Sequence, residues 1–287
     1  MTRATATSIG FVAVLLWALL ALFTAGSAPV PPFLLNALTF AIGGAVGVIW
    51  VLARGRLHVL SQISWKIYAF GTAGLFGYHA LYYSALRMAP PAEAGLIAYL
   101  WPLLIVLFSG LLPGEQLRFG HIVGALVSFA GAALIVLRNG FAFDPAITPG
   151  LFLAALCALT WSMYSVVSRR LGDTPTEVVA VFCLLTAILS VPAHLLFETT
   201  VWPETEFGWF SVVALGLGPV GLAFYVWDIG VKRGDIQLLG VASYAAPLLS
   251  TLVLIVAGFA GMSWQLLAAA GLITVGAGIA ALASRRS

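Results

Sequence analysis

Few side chains in this sequence offer chemistry beyond hydrogen bonding, and the best of them sit together in Tyr78-His79-Ala80-Leu81-Tyr82-Tyr83. An imidazole donates, accepts or takes a proton near neutral pH. A phenol ring offers an apolar face and one hydroxyl. Such a set binds a flat or aromatic ligand, and His79 is its one candidate proton carrier. The other histidines, His58, His121 and His194, fall in a loop or near the ends of apolar runs. There is no Gly-rich phosphate loop, metal-ligand spacing, nucleophile elbow or His/Asp/Ser set at one depth. No catalytic residue, metal or cofactor is expected. Cys157 and Cys183 lie inside apolar runs and read as small fillers rather than a disulfide or a metal pair.

More aromatic residues belong with this set. Trp17, Tyr78, Tyr82, Tyr99, Trp161, Tyr164, Trp227 and Tyr244 all stand away from the extreme ends of their apolar runs. Aromatics that anchor a helix at a membrane surface sit at the ends, a description that suits Trp202 and Trp209 better. The eight residues together with His79 are the candidate substrate-binding set, although packing alone accounts for any single one. Trp101 lies two residues beyond Tyr99, on the opposite face of a regular helix, and is left out. The carboxylates keep to the run ends. Asp228, the deepest, is about one turn from Lys232. A coupling proton would therefore fall to His79; without one the chain is a passive facilitator.

The elements that position these residues follow from composition. At 62% hydrophobic and 8% charged over 287 residues, the chain is no ordinary soluble domain. Ten apolar runs, roughly 8–25, 32–53, 66–87, 91–112, 119–137, 149–170, 176–197, 207–231, 236–258 and 263–284, fill it. Each approaches the length of about 20 residues that crosses a bilayer, and none alternates as a barrel strand does. The expected fold is an all-α polytopic membrane protein of ten transmembrane helices. Placing the N-terminus in the cytoplasm sorts the 13 Lys and Arg residues into 11 inside and two outside, Arg87 and Arg138. That is the positive-inside pattern, so the net charge of +3 signals topology rather than nucleic-acid binding. Both chain ends are placed in the cytoplasm. The N-terminal run, which resembles a signal peptide, is read as a retained first helix because its removal would scatter the sorted charges.

The outline repeats after 145 residues: Tyr99 matches Tyr244, Pro102 matches Pro247, Gly131 matches Gly276 and Tyr82 matches Trp227. Two five-helix halves, residues 1–143 and 144–287, are expected. An odd helix number inserts the second half from the opposite side, giving inverted repeats whose shared site lies near the midplane. Pro102 and Pro247 each free a carbonyl one turn earlier, at Ala98 and Ser243, and mark kinks or gates. Gly120, Gly124, Ser128 and Gly131 on the fifth helix, answered by Ala270, Thr274 and Gly278 on the tenth, suit close helix contact.

The stretch YSALRMAPPAEAGLIAYLWPLL, followed by LLPGEQLR and a glycine-dotted helix, resembles the EamA family of drug/metabolite transporters. The second half follows that pattern more loosely, with Val231-Lys232-Arg233-Gly234-Asp235 in place of the proline turn. Within the family the chain is most similar to exporters of aromatic amino acids. The resemblance implies a bacterial inner-membrane transporter, as a monomer or homodimer, that moves aromatic amino acids outward by alternating access. Its cavity would be lined by helices 1, 3, 4, 6, 8 and 9. No buried Arg or Lys is in place to grip a carboxylate, which would be met by hydroxyls, His79 or free backbone N–H groups. Efflux of flat organic cations is the alternative within transport, since aromatic walls also accept cations. An intramembrane enzyme acting on lipid would need an acid/base or metal-binding pair at one depth, and the sequence has none.

Overall fold

The computed structural model describes residues 1–137, 145–258 and 261–284, all helix and connections without a strand among them. The boundary expected at 143/144, and Arg138, Arg285 and Arg286, lie outside the described residues. In chain order the main helices are α1 (Arg3–Gly26), α2 (Pro32–Ala53), α3 (Trp65–Met88) and α4, in two pieces, Pro91–Ala98 and Trp101–Ser109. They continue with α5 (Phe119–Val136), α6 (Thr148–Arg170), α7 (Val178–Phe197), α8 (Glu206–Arg233), α9 (Ile236–Val256) and α10 (Trp264–Ser284). Eight of these, all but α3 and α4, are long and apolar enough to cross a membrane. In α3 the tyrosines and His79 lower the hydropathy over its 24 residues, and α4 is short because it is broken.

Local chemistry fixes the ends. Thr2, Ser64, Thr205 and Asp235 cap α1, α3, α8 and α9 by accepting a backbone N–H of the first turn. The start of α2 has no such residue of its own. The Glu198 carboxylate, just beyond α7, accepts the N–H groups of Phe33 and Leu34 at 2.9–3.1 Å instead.

Four helices are interrupted partway along. In α1 the break falls at Ala18-Leu19, in α4 at Tyr99-Leu100 and in α9 at Ser243-Tyr244. In α8 the stretch Gly218–Leu222 widens into a π turn around Pro219. Pro102 and Pro247 therefore lie in the first turns of new helical pieces, where a missing N–H costs little, rather than inside continuous helices.

Lipid gives no hydrophobic drive between helices, so close packing and polar ties set the arrangement. The major pairings are α5 with α10, α1 with α8, α2 with α7, α3 with α6, α4 with α6 and α2 with α8, and α4 also meets α9. Where α1 crosses α8, a Cβ on Gly10 would stand 2.7 Å from the Gly230 Cα, so only glycine permits the approach. The α5–α10 contact uses Gly120, Gly124, Ser128 and Gly131 as expected, but it meets Ala269, Ile273, Gly276 and Ala280 of α10. Thr274 and Gly278 point away from this contact and are exposed.

Candidate functional site

The interrupted helices surround one large cavity of about 840 Å³, within the range of about 300–1,000 Å³ that buries small molecules. Its wall is aromatic: Trp17 from α1, Tyr78, Tyr82 and Tyr83 from α3, Tyr99 and Trp101 from α4, Trp161 from α6 and Phe224 from α8. His79 lies among them, and among the described residues no Asp, Glu, Lys or Arg lines the space. Exposed residues at the end of α1, Thr24 and Ala25, and of the α1–α2 connection, Ala28 and Pro29, form the mouth.

The floor is a cluster of four tryptophans. Trp17, Trp101, Trp161 and Trp227 touch in all six pairings, with ring centroids 5.1–6.3 Å apart. The Trp17 indole N–H donates to the Pro219 carbonyl in the π turn at 3.1 Å, fixing the ring that spans the cluster. The Trp227 indole N–H donates to Ser165 Oγ, also at 3.1 Å.

The nine expected residues divide into two groups. Trp17, Tyr78, His79, Tyr82, Tyr99 and Trp161 line the cavity, whereas Tyr164, Trp227 and Tyr244 are buried behind its wall. Tyr164 stacks on Trp161 at 5.2 Å and backs the wall. The Tyr244 hydroxyl accepts the Leu103 N–H at 3.1 Å, a donor left unpaired at the start of the second piece of α4. Trp101 and Tyr83, both outside the expected set, are lining residues. Face counting on a regular helix put Trp101 away from Tyr99, but the break at Tyr99-Leu100 resets the helical phase and turns both inward.

Beyond the tryptophans, at the end away from the mouth, charged and polar groups join α1, α6 and the end of α8 to the connections ahead of α5, α7 and α9. Glu115, before α5, is bonded to Arg169 of α6 and, at 3.0 Å, to Arg3 of α1. Arg169 also donates to the carbonyls of Val231, Lys232 and Gly234 at the end of α8, at 2.8–3.2 Å. The Thr7 hydroxyl accepts the Asp235 N–H at 2.8 Å. Asp228 and Lys232 form a buried pair at 2.8 Å that reaches Thr176 and the Thr174 carbonyl ahead of α7. This end is closed by ion pairs; the mouth is open.

The pattern of the EamA-like transporter family matches residues 5–137 and again 148–282. A protein of Ancylobacter novellus described as aromatic amino acid exporter YddG is 60% identical over the whole of both chains. One of Escherichia coli K12 with the same description is 26% identical, again over both full lengths. A crystal structure 59% identical in sequence superposes with a TM-score of 0.96 over 99% of each chain.

Proposed function

The chain belongs to the EamA-like transporter family, and from that premise we propose that it exports aromatic and other bulky apolar amino acids across the bacterial inner membrane. The supporting observation is the cavity itself, a space of substrate size walled by indole and phenol rings, with His79 among them and no Asp, Glu, Lys or Arg among the described residues that line it. The full-length identity to a named aromatic amino acid exporter points the same way. Broad selectivity is expected, because aromatic walls distinguish apolar side chains only by small contact energies.

All ten helices span the bilayer in this reading, as inverted halves 1–143 and 144–287 with both chain ends in the cytoplasm. Two observations support it. The pairings α1–α8 and α3–α6 exchange when each helix is replaced by its counterpart five places on, while α2–α7, α4–α9 and α5–α10 map onto themselves. Each ion pair among the described residues joins groups that charge sorting assigns to one side, as with Arg87 and Glu198 outside or Arg56 and Glu177 inside. The mouth then faces outward and the charged end faces the cytoplasm. Alternating access proceeds from this outward-open form by closing the mouth and parting the charged end.

The substrate-binding residues are Trp17, Tyr78, His79, Tyr82, Tyr99 and Trp161, with Trp101 added and with Tyr164, Trp227 and Tyr244 in support. Pro102 and Pro247 place the flexible breaks. The test is flux of radiolabelled phenylalanine in proteoliposomes, with alanine at His79, Tyr82 or Tyr99. A fall in flux in each variant is expected. Unchanged flux in all three would remove this site, and protection of cells from flat organic cations without amino-acid flux would favour the drug-efflux alternative.

A further inference from the structure

His79 has a fixed hydrogen-bonding direction. Its Nδ1 lies 2.8 Å from the Leu75 carbonyl oxygen, one turn back on α3. A carbonyl only accepts, so Nδ1 carries a proton. In the neutral ring the other nitrogen, Nε2, is then an acceptor with no proton to give. The ring is held in place as well: Phe40 meets it edge-on at 5.0 Å, Tyr78 at 5.2 Å and Phe224 at 6.3 Å. With Nδ1 turned back toward its own helix, Nε2 is the ring nitrogen left for a ligand in the cavity that the half-buried His79 lines.

The rest of the polar lining differs from it. Indole N–H groups only donate, and phenol hydroxyls both donate and accept. The Trp17 N–H is already given to Pro219, and the Thr39 hydroxyl donates to the Leu35 carbonyl at 2.8 Å. Among the lining side chains His79 is thus the one that accepts through nitrogen without donating into the space. No carboxylate lines the cavity to balance an imidazolium.

We propose that His79 Nε2 reads the α-ammonium group of the substrate, accepting its N–H, and that the carboxylate is left to the hydroxyls of Tyr78, Tyr82 and Tyr99. This rests on the export reading above and names the polar group by which the cavity selects an amino acid. It also removes His79 from the donors that could meet the carboxylate. A ligand with a ring and an ammonium but no carboxylate keeps the contact. One with a ring and a carboxylate but no nitrogen loses it.

The experiment is titration of the purified protein, followed by tryptophan fluorescence, with L-phenylalanine, L-phenylalaninol and 3-phenylpropionate. Phenylalaninol is expected to bind within a few-fold of phenylalanine, and phenylpropionate about tenfold or more weakly, the value of one hydrogen bond to a charged group. His79→Phe should bring phenylalaninol and phenylpropionate to similar affinity. His79→Gln, which keeps an acceptor oxygen, should retain part of the preference and serves if the first variant fails to fold. Phenylpropionate binding as tightly as phenylalaninol to the unaltered protein would overturn the proposal. So would a preference that survives in folded His79→Phe. Binding of phenylalaninol without binding of phenylalanine would sink the amino-acid reading while leaving His79 as an ammonium acceptor, and binding of neither would sink both.

Discussion

Glu115 ties the closed end together, so replacing it with glutamine should release that end. Its carboxylate is 4% exposed and shared between Arg169, 17% exposed, and Arg3, 47% exposed. The half-exposed Arg3 contributes little, since water screens such pairs to about 0–1 kcal/mol. The Arg169 contact is the one that counts. Breaking a buried pair costs about 3–5 kcal/mol when nothing compensates. Arg169 keeps the three carbonyls at the end of α8, so we take about 2 kcal/mol as the working figure, below the full buried-pair value. That corresponds to a population shift of about 30-fold toward the state open at this end. A reporter is available at Val106, fully buried against Gly240 on α9. In a background with Cys157→Ala and Cys183→Ala, Val106→Cys should react with a membrane-impermeant maleimide only when the charged end, cytoplasmic in the proposed topology, parts. Adding Glu115→Gln should raise labelling in inside-out vesicles by about the same 30-fold factor. Unchanged labelling in a protein that still folds would show that these ion pairs do not hold the end shut.

Three further expectations follow from the packing. Gly10→Ala puts a methyl into the Gly230 backbone, which cannot move aside as a side chain would, and should lower stability by about 1–3 kcal/mol or more, read as a drop in melting temperature in detergent. Trp101→Ala removes a ring from both the wall and the floor and should raise the phenylalanine KM about two- to twelvefold, given about 0.5–1.5 kcal/mol per aromatic contact. Tyr244→Phe strands the Leu103 N–H at a cost of about 1–3 kcal/mol, so it should lower the melting temperature with little change in KM. Tyr99→Phe, on a residue that faces the cavity, should do the reverse, and reversed outcomes for this pair would show their roles misassigned.

The helix positions were legible in the sequence, because bilayer length acts on whole segments. The expected run at 32–53 is the helix Pro32–Ala53, and 263–284 is Trp264–Ser284 within one residue. What failed depends on phase within a segment. A mid-run proline signals a disturbance but not the residue at which the helix stops, and face counting through the break at Tyr99-Leu100 misplaced Trp101. Selection by residue size alone misjudged the α10 contact. Ala270, Thr274 and Gly278 are small, but the contact face is Ala269, Ile273, Gly276 and Ala280. The seam needed Gly276, which the internal repeat had already matched to Gly131. The pairing of Arg169 with Glu115 and three carbonyls carries no sequence signal, since its partners are 54 to 65 residues away.

The internal match between Tyr99 and Tyr244 led to one residue that lines the cavity and one that is buried behind its wall. On the proposed inverted arrangement the two tyrosines hold equivalent places, each beside the break of its own helix. A structure open at one end cannot treat them alike. The half that lines the open space must leave its polar groups free for a ligand, and the half behind the wall must satisfy its own. Tyr99 accordingly faces the cavity, while the Tyr244 hydroxyl fills the vacancy that the α4 break leaves at the Leu103 N–H. The same division separates Tyr82, in the lining, from its counterpart Trp227, fully buried and bonded to Ser165. On the proposed reading, duplication supplies two copies of a broken-helix frame, and alternating access would exchange which copy faces the cavity and which one packs. A residue matched across the halves then identifies a position, and its task would change with the side of the membrane to which the cavity opens.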